Sequence, residues 1–158
     1  MVLYLAIFFA IIILDQISKF MITSSFSVGQ GTEIIKGILD FTYVRNEGAA
    51  FGMLQGARVF FIVVTLVAIT AAVIYILKAR PKSALELTAL AFISGGAIGN
   101  FVDRVVLGYV RDFIAVTFID FPVFNIADCF VCIGAGLYIL YTLLDTVKAK
   151  NKDEKADE

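Results

Sequence analysis

The chain contains no histidine. That absence removes a Ser-His-Asp triad, a Cys–His pair and an HExxH zinc site from the chemistry available to it. Cysteine is almost as scarce. Cys129 and Cys132 form a CxxC, but no other Cys or His completes a metal site and the surrounding sequence is apolar. They read as small core residues, and no metal is expected. A Walker-type glycine loop is missing, so neither a nucleotide nor any other cofactor is expected. The net charge of -1 argues neither way about a nucleic-acid partner, but the basic residues form no groove-sized patch, so none is expected. The first apolar run has no basic residues ahead of it and no small-residue cleavage site after it, so it reads as a retained span.

What the chain has in abundance is apolar sequence. Of its 158 residues 60% are hydrophobic, and the mean hydropathy is +0.92. A spanning helix needs roughly 20 mostly apolar residues, and four stretches qualify, about 2–22, 57–77, 85–106 and 123–144. The expected architecture is mainly α and integral to a membrane, a four-helix bundle forming one polytopic domain over residues 1–158. From about residue 145 the sequence KAKNKDEKADE and its approach are too polar to pack and read as a solvated, frayed tail.

Lys78, Arg80 and Lys82 crowd the link between spans two and three, and Lys148, Lys150, Lys152 and Lys155 follow span four. By the positive-inside rule both segments, and so both termini, are cytoplasmic. The longer segments, about 23–56 and 107–122, then lie outside. In the first, glycines punctuate short β-prone runs at Thr32 to Ile35 and Leu39 to Val44. A small sheet is expected there, at the interface where its open edges can be satisfied, shaped to cradle an extended peptide.

Ionisable groups inside spans each cost a few kcal/mol, about 2.5–3.5 on insertion scales, so each needs a partner or a task. Asp15 and Lys19 share a helix face four residues apart and can pair; a structural ion pair and a role in orienting the site both remain open. Asn100 and Asp103 share a face of span three with Gly96, and Arg104 stands four residues after Asn100. Asp103 reads as structural support, Arg104 as either a snorkelling cation or a site residue, and the Gly95/Gly99 pair as close helix packing. Asn125 and Asp128 sit on one face near the start of span four, with Asp120 expected to cap that helix and Pro122 close to its first turn. Asp128 then lacks a partner unless a cation or a second carboxyl approaches. Asp112, flanked by Val110, Phe113 and Ile114, supplies that carboxyl from a segment expected to lie amphipathically on the membrane surface.

Two carboxyls beside accessible water suffice for acid–base hydrolysis of a peptide bond, one ionised to activate water and one protonated to bind the scissile carbonyl. A small proton- or ion-coupled transporter is the alternative, since intramembrane acids and bases also form relays. It fits less well because the inner halves of the spans carry few polar groups. A tetraspan assembly factor would leave Asp128 without purpose.

Five blocks in chain order resemble the lipoprotein signal peptidases, the type II signal peptidases of bacteria: Asp15-Gln16-Ile17-Ser18-Lys19, Arg45-Asn46-Glu47-Gly48-Ala49-Ala50-Phe51, Gly99-Asn100-Phe101-Val102-Asp103-Arg104, Val110-Arg111-Asp112-Phe113 and Phe124-Asn125-Ile126-Ala127-Asp128. The resemblance implies four membrane helices with an outer β-cradle, and an aspartyl protease with Asp112 and Asp128 as catalytic dyad. It implies that Asn46, Asn100, Arg104 and Asn125 support the site or contact substrate. It further implies prolipoprotein substrates cut before a diacylglyceryl-modified cysteine, contact with membrane lipid, inhibition by globomycin-type compounds and a bacterial plasma-membrane location. A monomer is expected. Arg111 stands where the family is often apolar, and Cys129 where Ser is frequent.

Overall fold

The computed structural model describes residues 1–49 and 53–154. Ala50 and Phe51 of the second block and Lys155 of the tail lie outside the described residues, as does the Lys152 side chain. The elements in chain order are α1 (Val2–Ser25), β1 (Gly31–Ile35), β2 (Leu39–Asn46), α2 (Arg58–Ala79), α3 (Ala84–Val106), β3 (Val110–Val116) and α4 (Ile126–Glu154). Four of the described helices are long and apolar enough to cross a membrane, and the expected helical bundle with a small sheet is the observed fold.

α3 is the hub, packing against α1, α2 and α4. Glycine makes this possible. A Cβ on Gly95 would meet Ile11 of α1, one on Gly96 would collide with the Ala127 carbonyl of α4, and one on Gly99 would stand 2.6 Å from an Asp15 carboxylate oxygen. Two faces of α3 are thus cut away for two different neighbours. The link from α2 to α3 is punctuated in the expected way. Arg80 takes the left-handed conformation (φ 49°) that ends α2, Pro81 follows, and Ser83 caps α3 by accepting from the Glu86 N–H at 3.4 Å. At the other end of α3, the Arg58 guanidinium donates to the Val105 carbonyl at 2.7 Å, satisfying one of the orphan acceptors there.

The sheet is antiparallel in the order β1-β2-β3. Its third strand corrects the expectation that Asp112 lies in a membrane-surface segment: Val110–Val116 pairs with β2, with Asp112 opposite Val44 and Val110 opposite Asn46. Phe113, next to Asp112, points to the other face and packs with Ile22 and Tyr43, its ring 5.7 Å from that of Phe41. The sheet is therefore bolted onto the end of α1.

The start of α4 is a second correction. Phe124 bonds back to Phe113 and Ile114 across the return from β3, so Asp120 and Pro122 lie in that return and do not open the helix. Asn125 caps it: its side-chain oxygen accepts from the Asp128 N–H at 3.0 Å, while an Asp128 carboxylate oxygen accepts from the Asn125 N–H at 3.2 Å. This reciprocal pair is a capping box. At its far end α4 runs helical to Glu154, through most of the segment expected to fray.

Candidate active site

The polar side chains anticipated on α1, α3, β3 and α4 meet at the sheet end of the bundle. Lys19 is fully buried and its ammonium has three partners, Asp15 at 2.9 Å, the Asn100 side-chain oxygen at 2.8 Å and Asp103 at 3.5 Å. Three donors meet three acceptors, which is the condition for holding a charge out of water. Asp15 also accepts from the Ala127 N–H at 3.0 Å, in the first turn of α4. The Asp15–Lys19 pair thus joins α1 to both α3 and α4.

Asp103 is held from its other side by Arg111. The guanidinium donates to one carboxylate oxygen at 2.6 Å and to the other at 3.1 Å, and the Arg111 backbone N–H adds a bond at 2.9 Å. Gln16 completes this knot, accepting from Arg111 at 2.8 Å and donating to Asp103 at 3.2 Å. Charge-assisted fork contacts of this kind fix geometry as well as charge. Asp112 directly follows Arg111 in sequence, so the knot sets where that carboxyl stands.

Three asparagines then orient the two carboxyls. Lys19 can only donate, so the Asn100 atom facing it is the oxygen, and the Asn100 amide nitrogen is left to donate to Asp128 at 2.7 Å. By the same logic the Asp128 N–H fixes the Asn125 oxygen, and the Asn125 amide nitrogen donates to Asp112 at 2.6 Å and to Asn100 at 3.1 Å. Asn46 donates to the second Asp112 oxygen at 2.8 Å, while its own oxygen accepts from the Gly48 N–H at 3.0 Å. Arg104 donates to the Gly48 carbonyl at 3.2 Å and lies 4.6 Å over the Phe61 ring.

Asp112 is 2% exposed whereas Asp128 is only half-buried. Burial first, and the Asp128 charge second, push the Asp112 carboxyl up to about 6, against the opposing pull of the Asn46 and Asn125 amides and Lys19. The cluster as a whole points the same way. Asp15, Asp103, Asp112 and Asp128 face three cations, Lys19, Arg104 and Arg111, so one proton on the Asp112–Asp128 pair makes the cluster neutral.

Both carboxyls open on one cleft of about 660 Å³. Asn46, Gly48 and Arg104 line its polar end, and Phe61, Thr65 and Val131 of α2 and α4 form an apolar wall. Cys129 and Cys132 lie along that wall as free thiols, half-buried and exposed, and not in a core. Their sequence setting was read correctly as apolar; a wall facing a cleft satisfies the same pattern. Gln16, Gly48 and Arg111 were not assigned site roles from sequence, although each lies inside a quoted block. Only Arg111 carried a signal, a charge beside Asp112 in an apolar run. Glu86 was missed as well: it is buried near the opposite end of α3 and accepts a hydrogen bond from the Tyr75 hydroxyl.

Fold and cleft together define a multi-pass membrane enzyme. The chain belongs to the signal peptidase II family, whose model, described as signal peptidase (SPase) II, matches residues 7–144. It is 39% identical over 150 residues to the lipoprotein signal peptidase of Enterococcus faecalis, covering 95% of this chain and 93% of that one. Against the lipoprotein signal peptidase of Brevibacillus brevis the identity is 41% over 145 residues, covering 92% and 97%. Two solved structures of bacterial membrane enzymes, obtained by the in meso method at 2.3 and 1.9 Å, superpose with TM-scores of 0.88 and 0.84. Each is 36% identical to this chain; the first covers 92% of it and 90% of its own length, the second 90% and 94%.

Proposed function

We propose that this peptidase is of the aspartic type, with Asp112 and Asp128 as its catalytic pair. As a signal peptidase II it is a multi-pass bacterial membrane hydrolase that removes signal peptides from prolipoproteins, and its relatives give the transporter reading no support. The observation that carries the aspartic assignment is the asparagine bridge: Asn125 touches Asp112 while Asn100 and the Asn125 backbone touch Asp128, at the end of one cleft.

Asp128, the more open of the two, is ionised and takes a proton from water as its oxygen attacks the scissile carbonyl. Asp112 holds the shared proton, donates it toward the carbonyl oxygen and stabilises the gem-diol. Collapse of that intermediate passes a proton to the departing amine. Lys19, Asp15 and Asp103 orient the pair from behind, Asn46, Asn100 and Asn125 fix its lone pairs, and Arg104 places positive charge at the cleft mouth. The apolar wall accommodates the lipidated cysteine before which the chain is cut, and globomycin-type inhibitors occupy the same cleft. All these residues come from one chain, which works as a single polytopic domain and a monomer. Lys78, Arg80 and Lys82 mark the far end as cytoplasmic, with both termini there and the sheet and site outward.

The test is cleavage of a diacylglyceryl-modified proprotein by purified variants. Asp112→Asn and Asp128→Asn each lower turnover by about 10³-fold or more, as loss of a positioned proton-transfer group does, with the fold retained. Turnover within a few-fold of the parent in either folded variant would sink the assignment.

A further inference from the structure

A second cavity, of about 590 Å³, lies at the end of the bundle away from the carboxyl pair, where the close of α2, the start of α3 and the last turns of α4 come together. Its size falls in the range of small-ligand sites, about 300–1,000 Å³. Arg80 and Lys82 of the α2–α3 link and Lys148 of α4 line it. Among the described residues none of these three enters an ion pair. The two carboxylates in its walls do not neutralise them. Glu86 is buried and taken up by the Tyr75 hydroxyl, with Tyr141 also bonded to it, which leaves Asp145 as the remaining acid.

The geometry points to a binding site for the phosphodiester headgroup of an anionic membrane lipid. Three unpaired cations converging on one cavity supply the charge. The Ser83 hydroxyl in its wall accepts from the Glu86 N–H and keeps its own O–H to donate. The cavity lies at the ends of spanning helices, the level at which headgroups sit, and Leu144 in its rim continues into the outward-facing apolar surface that acyl chains cover. Basic pockets between membrane helices take anionic headgroups for these reasons. The basic leading segment of a signal peptide, the other polymer end that could arrive here, meets like charge.

Native mass spectrometry of the full chain released from detergent tests the site, with phosphatidylglycerol and phosphatidylcholine as probes. Phosphatidylglycerol is expected to be retained over phosphatidylcholine by about tenfold, as the charge of several nearby cations implies. The triple variant Arg80→Gln, Lys82→Gln, Lys148→Gln loses that preference. A variant of equal charge loss at lysines that do not line the cavity, Lys36→Gln, Lys78→Gln, Lys150→Gln, keeps it. Equal loss in both variants, or no loss in the first, overturns the site. Displacement of the lipid by millimolar inorganic phosphate replaces the lipid with a free anion and overturns the assignment. So does unchanged lipid retention in the triple variant joined to an altered KM for substrates with basic leading segments. Thermal unfolding verifies that both variants fold, and Lys148→Gln alone, at an exposed position, gives a partial loss if the triple variant does not.

Discussion

α2 and α3 are 22 and 23 residues long and both can span a bilayer, yet they are held in the molecule by different physics. α2 has no buried residue among those described, and its Val, Ile, Leu and Phe side chains face outward nearly all round. α3 buries nine residues, of which Gly95, Gly96 and Gly99 admit neighbouring helices and Glu86, Asn100 and Asp103 carry polar atoms. In lipid an apolar side chain gains little by moving from acyl chains to protein, so apolar residues hold a helix in the membrane without fixing its place in the bundle. Small residues that allow close approach, and polar groups that cannot be left unpaired, do the fixing. The difference teaches that the fold information and the chemistry of this protein occupy the same positions.

The sharpest way to break that comparison is to remove a largely buried polar group that does not line the cleft. Arg111→Met strips Asp103 of its fork and detaches β3 from α3. Leaving one member of a pair of this kind costs about 3–5 kcal/mol; Lys19 at 3.5 Å and Gln16 still face Asp103, so the low end is expected. Turnover falls while KM holds, because Asp112 loses its registration but the cleft wall is intact. Thermal unfolding and a kcat–KM separation check this, and a variant as stable and as fast as the parent would show that the knot is ornamental.

Those same residues mark where the sequence was and was not readable. Asp15 and Lys19 could be paired by eye because an i, i+4 pair in hydrocarbon has few other options. Asn100 and Asp103 followed from helical spacing, and β1 and β2 from local glycine punctuation. Arg111 could not be placed, because its partners come from α3 and α1, 8 and 95 residues away, and no local pattern encodes them. β3 was lost for the same reason: its partner strand β2 lies on the far side of α2 and α3 in the sequence. The start of α4 is the instructive miss. Asn125-Ile126-Ala127-Asp128 carries a capping pattern, yet a cap and a reactive carboxyl were treated as exclusive duties. The structure gives Asp128 one oxygen for the cap and one for Asn100.

A smaller effect sharpens the link between burial and charge at Asp112. With a folded value of about 6 against an ordinary 3.8, the stability this carboxyl gives when protonated is fully present below the ordinary value. It is lost as pH rises through about 6, a swing of up to ~3 kcal/mol at 1.36 kcal/mol per unit. Asp112→Asn removes the swing. Its new N–H₂ faces the donors of Asn46 and Asn125, so part of the gain is forfeited and about 1–2 kcal/mol of net stabilisation is expected at pH 8, with none at pH 4. Melting curves at the two pH values read this directly. In Asp128→Asn the second cause of the shift is gone, and the Asp112 titration, followed by the infrared carbonyl stretch of the protonated acid, moves below about 6.

The smallest expected effect belongs to α2. Val67 is 63% exposed in the middle of that helix and lies away from both cavities. Val67→Leu exchanges one apolar side chain for another against acyl chains, gaining a methylene that lipid solvates as well as protein would. Outward-facing substitutions free of packing or polar partners stay within about 0.5 kcal/mol, and turnover should match the parent. A melting shift of several degrees or a loss of cleavage would mean that α2 is held through a contact other than its face on α3, and that its uniform apolar surface carries positional information after all.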